Sequence, residues 1–122
     1  ASLLNYKPPF NITTAAELAG VAALKDKKWL QKNIKHNNYW RIKIFKKLNE
    51  KKIKCNQPTT NFFLMQFDKK YNADRMFNKF AQYGVILRKM KNYKIKNSLR
   101  VTVGNAKECQ LFIRLLDKFF NV

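Results

Sequence analysis

The stretch that decides the fold runs from Val85 to Gly104 and reads VILRKMKNYKIKNSLRVTVG. Two short runs in it, 85–87 and 99–103, are rich in β-branched and aliphatic residues, and both are predicted to be strands. The residues between them are mostly Lys, Asn, Tyr and Ser, which is typical of a polar connection. Because consecutive elements usually pair or lie side by side, we expect these two strands to be neighbours in one sheet.

Each predicted strand carries one arginine: Arg88 ends the first and Arg100 lies within the second. Neighbouring strands would bring the two guanidinium groups to one end of the sheet. Each guanidinium offers a planar fork of N–H donors that matches a carboxylate or phosphate. The pair is therefore a candidate anion-binding site, with Asn61 as a possible helper. The alternative is that one or both arginines simply face solvent.

The composition is that of one folded domain without a membrane span. The chain has 122 residues, of which 46% are hydrophobic, and it contains ten Phe; this is enough to build a core and argues against disorder. It shows no long apolar run and no signal-peptide pattern. Cys55 and Cys109 stand in no metal-like spacing, so we expect reduced thiols in a cytoplasmic protein. The missing initiator Met suggests a processed chain or a fragment.

The formal net charge of +19 and the pI near 10.2 suggest a nucleic-acid-binding protein. However, 21 of the 26 basic residues are lysines, and they are spread over the whole length. The chain is also rich in Asn, Ile, Phe and Tyr, which together with Lys are favoured by an A+T-rich genome. We therefore rank solvated faces first and keep a small basic nucleic-acid-binding module as the alternative from another functional class.

The order of predicted elements indicates the fold class. In chain order the sequence predicts an extended segment over 5–12, a helix to about 25, a long helix over 27–51, an edge strand over 53–55, a buried strand over 61–67, a helix over 73–83, the two arginine strands, and a final helix after Asn105. This mixture predicts an α/β (α+β) two-layer sandwich, in which helices cover a small, mostly antiparallel sheet.

The chain carries no complete catalytic apparatus. It has no Gly-rich phosphate loop, no nucleophile elbow, no metal-ligand cluster and no Cys/His pair. Seven acidic residues are too scattered to nominate a general acid and base. His36, the only histidine, is predicted to be a surface residue on the polar side of the long helix. We expect no catalytic, cofactor-binding or metal-binding residue in this chain.

Three segments resemble, in the same order, the C-terminal part of histidinol-phosphate aminotransferases: YKPPFNIT, TTNFFLMQF and VILRKMKNYKIKNSLRVTVG. They share a Pro-Pro-Phe-Asn segment, an Asn-Phe at the start of a buried strand, and a Leu-Arg-Val-Thr-Val-Gly strand. The resemblance covers essentially the whole chain. It implies the small domain of a pyridoxal-phosphate enzyme of fold type I, with 1–26 as an extended segment and connecting helix and 27–122 as the C-terminal small domain.

The resemblance also implies an activity and roles for the arginines. Enzymes of this family transfer an amino group between histidinol phosphate and 2-oxoglutarate in histidine biosynthesis, usually as homodimers. Arg100 matches the arginine that holds the carboxylate of the amino-acid substrate. Arg88 matches its neighbour, which helps to bind the phosphate or carboxylate end.

The sequence departs from the family in two ways. The lysine that holds the cofactor covalently, the aspartate that pairs with its pyridine nitrogen and the cup for its phosphate lie upstream in the family, so the 122-residue chain alone is expected to be inactive. Many relatives have Tyr-Gly-Leu-Pro where this chain has Tyr93-Lys94-Ile95-Lys96. The exact amino donor therefore stays open, as does a stand-alone truncated paralogue without catalysis.

Overall fold

The computed structural model describes residues 12–120. The chain divides into two compact units, Ala1–Ile34 and Lys35–Val122. The predicted extended segment and its Pro-Pro-Phe-Asn motif lie outside the described residues, apart from Ile12. The predicted boundary after residue 26 stays a prediction.

The first unit contains helix α1, Thr14–Lys25, and the beginning of helix α2, Lys27–Glu50. The hydroxyl of Thr13 accepts a hydrogen bond from the Ala16 amide at 3.2 Å and caps α1. The carboxylate of Asp26 accepts from the Trp29 amide at 2.9 Å. Each side chain satisfies one of the amides that a helix N-terminus leaves without an internal partner, and this fixes where the helix begins.

The second unit is a four-stranded sheet with helices packed on it. The strands are β1, Lys54–Cys55; β2, Phe62–Gln66; β3, Arg88–Lys89; and β4, Ser98–Thr102; the helices after α2 are α3, Ala73–Ala81, and α4, Ala106–Phe119. The strand order is β1-β2-β4-β3, and all neighbouring strands are antiparallel. The predicted α+β fold with a small antiparallel sheet and helices is confirmed.

The core lies between the helices and one face of the sheet. Alternate residues of the two central strands are buried on this face: Phe63, Met65, Leu99 and Val101. The helices contribute their own buried side chains, which are Trp40, Ile44 and Leu48 of α2, Met76 and Phe80 of α3, and Cys109, Phe112, Leu115 and Leu116 of α4. Since strand side chains alternate between faces, the residues between the buried ones point to the opposite face.

The first arginine strand begins later than the sequence predicts. Residues 85–87 are not a strand; Gly84, with a φ of +76°, ends the turn after α3, and pairing starts only at Arg88. Leu87 is only 4% exposed, whereas Ile86 is 72% exposed. Leu87 enters the core as the chain approaches the sheet. A buried apolar residue in this position gives the same sequence pattern as a paired strand, which is why the prediction for 85–87 is wrong.

Within residues 12–120, no helix combines the length and the apolar character needed to cross a membrane.

Candidate anion-binding site

The two arginines face each other across neighbouring strands. Strand β3 pairs antiparallel with β4, and Arg88 and Arg100 are register partners. The expectation that the two arginine strands are neighbours is therefore confirmed. Directly opposite residues of an antiparallel pair have Cβ atoms about 4.5–5.5 Å apart and point to the same face. The sheet thus places two guanidinium groups on one face of its β3–β4 edge.

This arginine face is the one turned away from the core. Arg100 alternates with the buried Leu99 and Val101, so its side chain leaves the sheet on the other side. One position along, Lys89 is the register partner of Leu99, and its ammonium lies 2.7 Å from the carboxylate of Asp74 in α3. Helix α3 therefore forms an ion pair with Lys89 and not with Arg88 or Arg100.

Arg100 is half-buried and stacks on an aromatic ring. Its Cζ lies 4.9 Å from the ring centre of Phe62, which is a diagonal neighbour on β2. Its Nε is buried and has no hydrogen-bond partner among the described residues. A buried donor left unpaired costs about 1–3 kcal/mol. The guanidinium is thus held in place by the ring, and its buried Nε is left without a partner in the described part of the chain.

Arg88 is exposed and is held by a different aromatic residue. Its Nη2 donates to the hydroxyl of Tyr93 at 2.6 Å, and its Cζ lies 5.3 Å from the centre of the same ring. Tyr93 ends a short 3₁₀ helix, Lys91–Tyr93, in the connection between β3 and β4. Sequence reasoning missed both Tyr93 and Phe62 as partners of the arginines; the only signal for Tyr93 is an aromatic residue five positions after an arginine in a polar connection.

The positive charge of the pair is not neutralised locally. Within residues 12–120, neither arginine forms an ion pair with an acidic side chain. Both arginines and Glu108 line a cavity of about 350 Å³. The Glu108 carboxylate accepts from the Asn105 amide at 2.8 Å in a capping box. Like charges directly opposite in a sheet destabilise the pair. An anion bound between the guanidinium groups would relieve this repulsion.

The structure does not bring Asn61 into contact with the arginines. Asn61 immediately precedes β2, and its carbonyl accepts from the Val103 amide at 2.7 Å. Its side chain is exposed and, among the described residues, makes no hydrogen bond to either guanidinium. Counted along β2, it alternates with Phe62 and so falls on the side of the buried Phe63. A role for Asn61 stays a prediction.

His36 is not the plain surface residue that the sequence predicts. It is half-buried, and its Nε2 lies 2.9 Å from the carbonyl oxygen of Gly104. This contact joins α2 to the turn before α4. The helical pattern places His36 beside polar residues, but it does not reveal a partner 68 positions away in the chain.

The described residues do not fit a covalent cofactor site. A lysine that forms a covalent bond with a carbonyl cofactor is activated by desolvation or by neighbouring cations. Within residues 12–120 no lysine side chain is in the buried class. The same part of the chain also holds no group of His, Cys, Asp and Glu residues that could bind a metal ion.

The chain is similar in sequence to known aminotransferases. The protein family described as aminotransferase class I and II matches residues 1–116. Histidinol-phosphate aminotransferase from Pelagibacter ubique is 41% identical over 117 residues, covering 94% of this chain and 32% of that protein. The enzyme of the same name from Campylobacter fetus is 31% identical over 118 residues, covering 96% of this chain and 32% of that protein.

A solved structure shows the same fold. The histidinol-phosphate aminotransferase from Clostridium acetobutylicum superposes with a TM-score of 0.84 at 20% identity, over 93% of this chain and 35% of that one. The chain thus spans about a third of the length of the relatives it matches. It corresponds to a C-terminal portion of an enzyme resembling histidinol-phosphate aminotransferase. The chain belongs to the class I and II aminotransferase family.

Proposed function

We propose that this chain is the C-terminal small domain of an aminotransferase that exchanges an amino group between histidinol phosphate and 2-oxoglutarate. The identity of 41% to a histidinol-phosphate aminotransferase over nearly the whole chain supports this substrate pair. Aminotransferases of this family generally use pyridoxal phosphate, which supplies the carbonyl chemistry of amino transfer. Its covalent lysine belongs to the part of the enzyme outside this chain.

The observation that carries the proposal is the pairing of Arg88 with Arg100 across β3 and β4. In our proposal Arg100 holds the carboxylate of the amino-acid substrate, because the residue is half-buried and its guanidinium is fixed on the Phe62 ring. Arg88 binds the second anionic end. Charge-assisted hydrogen bonds of this kind contribute about 1.5–3 kcal/mol each.

Two anion anchors suit a reaction with two different substrates. Histidinol phosphate carries one phosphate group, whereas 2-oxoglutarate carries two carboxylates. Because a guanidinium fork matches either anion, the same two side chains serve both halves of the exchange. We place the complete enzyme in the cytoplasm as a homodimer, the usual state that the resemblance implies.

The test is Arg100→Lys in the full-length enzyme that contains this chain. The substitution keeps the positive charge but removes the planar fork, so we expect kcat/KM to fall about a hundredfold for both substrates. Cofactor content, measured by absorbance, should stay the same because the cofactor is held elsewhere. Arg75→Lys is the matched control, since Arg75 is exposed on α3.

Unchanged kinetics in Arg100→Lys would remove Arg100 from the site. A loss of cofactor in parallel with activity would instead show that Arg100 supports the structure. If the unsubstituted enzyme fails to transfer an amino group from histidinol phosphate, the proposed substrate is wrong.

A further inference from the structure

We infer that Tyr93 is a positioning residue that sets where the Arg88 guanidinium stands relative to Arg100, and so favours substrates whose anionic group both arginines can bind. This inference rests on the proposed function, because it concerns the same site. It gives a role to Tyr93, which the family resemblance leaves without one.

In the register of this sheet, the Arg88 side chain needs a contact that keeps it beside Arg100, and Tyr93 provides it. Arg88 and Arg100 are directly opposite, so their side chains leave the sheet side by side with like charges. Arg88 is exposed, and no acidic side chain in the described part of the chain holds it. Without another contact, its long side chain would be free to swing away from Arg100 into water.

Tyr93 holds this side chain by two contacts at once. The phenol oxygen accepts from Nη2 of Arg88 at 2.6 Å, and the guanidinium carbon lies 5.3 Å from the ring centre. Arg100 is held separately, 4.9 Å from the ring of Phe62. Two guanidinium groups, each fixed by its own aromatic residue, are prepared for an anion before it arrives. Fixing a flexible side chain in its bound position increases affinity because less freedom is lost on binding.

The turn that carries Tyr93 is itself anchored. The Tyr93 amide donates to the carbonyl of Met90 at 3.0 Å, and the side chain of Met90 is buried. The next residue, Lys94, has a φ of +58°, and its amide donates to Lys91 at 3.0 Å. The chain therefore folds back directly after β3, and this return places the Tyr93 ring beside Arg88.

The chemical consequence concerns the distal end of the substrate. Beside Arg100, a fixed Arg88 adds a second guanidinium fork at a defined place, and one phosphate can accept hydrogen bonds from both. A dicarboxylate can use the same second fork. A substrate without an anionic group gains nothing from Tyr93.

The experiment compares Tyr93→Phe and Tyr93→Leu in the full-length enzyme, using histidinol phosphate and phosphate-free histidinol as amino donors. Tyr93→Phe removes the acceptor oxygen and keeps the ring, whereas Tyr93→Leu removes both. We expect KM for histidinol phosphate to rise about tenfold in Tyr93→Leu, and less in Tyr93→Phe, with kcat nearly unchanged. The kinetics with histidinol should not change.

Tyr83→Phe is the matched control. The Tyr83 hydroxyl accepts from the Lys118 ammonium, also at 2.6 Å, and the ammonium lies 4.5 Å from the ring. The two tyrosines are similarly exposed, at 42% and 52%. Tyr83→Phe therefore removes an equivalent surface contact away from the arginines. It should leave the KM for histidinol phosphate unchanged.

Two further measurements decide the inference. Inorganic phosphate should bind about tenfold more weakly to Tyr93→Leu, and this titration remains informative even if histidinol phosphate is not the substrate. In an Arg88→Lys background, Tyr93→Phe should cause no further loss, because its effect passes through Arg88. Additive losses, equal losses with histidinol, or behaviour identical to Tyr83→Phe would overturn the inference.

Discussion

Among the polar residues of the second unit, Asn97 should be the one whose substitution most lowers stability. Its side-chain oxygen accepts from the Ala73 amide at 2.8 Å. Its side-chain nitrogen donates to the carbonyls of Phe67 at 2.9 Å, Asp68 at 3.1 Å and Tyr71 at 2.9 Å. One amide group therefore fixes the loop between β2 and α3 and the first amide of α3. It stands directly before β4, the strand that carries Arg100.

The cost of Asn97→Ala can be worked out from these contacts. An amide nitrogen has two hydrogens, so its three carbonyl contacts amount to two full hydrogen bonds, and the accepted bond makes three. At about 0.5–1.5 kcal/mol each, these bonds contribute about 3 kcal/mol. Asn97 also has a φ of +46°, a backbone region that asparagine tolerates better than alanine. We expect a loss of about 3–4 kcal/mol in the free energy of opening.

Native-state hydrogen exchange of the β2 and β4 amides in the full-length protein measures this loss locally. A change of 3 kcal/mol corresponds to exchange about a hundredfold faster. Asn97→Gly should recover only the part due to φ. Asn56→Ala loses two bonds, one accepted from the Leu64 amide at 2.8 Å and a longer one donated to the Gln57 carbonyl at 3.3 Å, and should cost about 1–2 kcal/mol. If Asn97→Ala exchanges no faster than Asn56→Ala, the reasoning from shared hydrogen bonds is wrong.

Two further predictions concern ionisable groups. Hydrogen bonds from Lys51, at 2.9 Å, and Lys47 lower the pKa of Asp117. A lowered folded-state pKa gives stability that is present above the ordinary carboxyl pKa and lost as the pH falls through the folded value. Thermal unfolding of Asp117→Asn should therefore show a loss below about 1 kcal/mol at neutral pH, since the pair is half-exposed, and none in strong acid. Burial raises the pKa of the Cys55 and Cys109 thiols. Because Cys109 is buried and Cys55 only partly so, iodoacetamide should label Cys55 first and Cys109 only on unfolding, as read by peptide mass. Equal Asp117→Asn losses at both pH values, or earlier labelling of Cys109, would contradict these two predictions.

The fold could be predicted where local chemistry and burial agree. The Asn105 side chain accepts from the Glu108 amide at 3.1 Å, and this capping box fixes the start of α4 from four consecutive residues. The strand 99–103 was predicted within one residue of the observed β4, Ser98–Thr102, because its alternate residues enter the core. The prediction failed at 85–87, where Leu87 is buried without strand pairing. A hydrophobic pattern indicates which residues are buried. Buried residues form a paired strand only where a neighbouring strand is present.

The site shows what kind of information the sequence lacks. That Arg88 and Arg100 lie on neighbouring strands follows from the order of the elements, but their exact register depends on the connection between them. This connection contains two non-glycine residues with positive φ, Lys94 and Asn97, and neither is marked by a turn motif. Within the same connection, Tyr93 accepts a hydrogen bond from Arg88, and the side chain of Asn97 is hydrogen-bonded to the segment that leads into α3. A polar segment without any period therefore determines both the position of one arginine and the entry of the strand that carries the other. Substitutions within it should alter substrate preference and domain stability through different residues, and the Tyr93 and Asn97 variants separate the two effects.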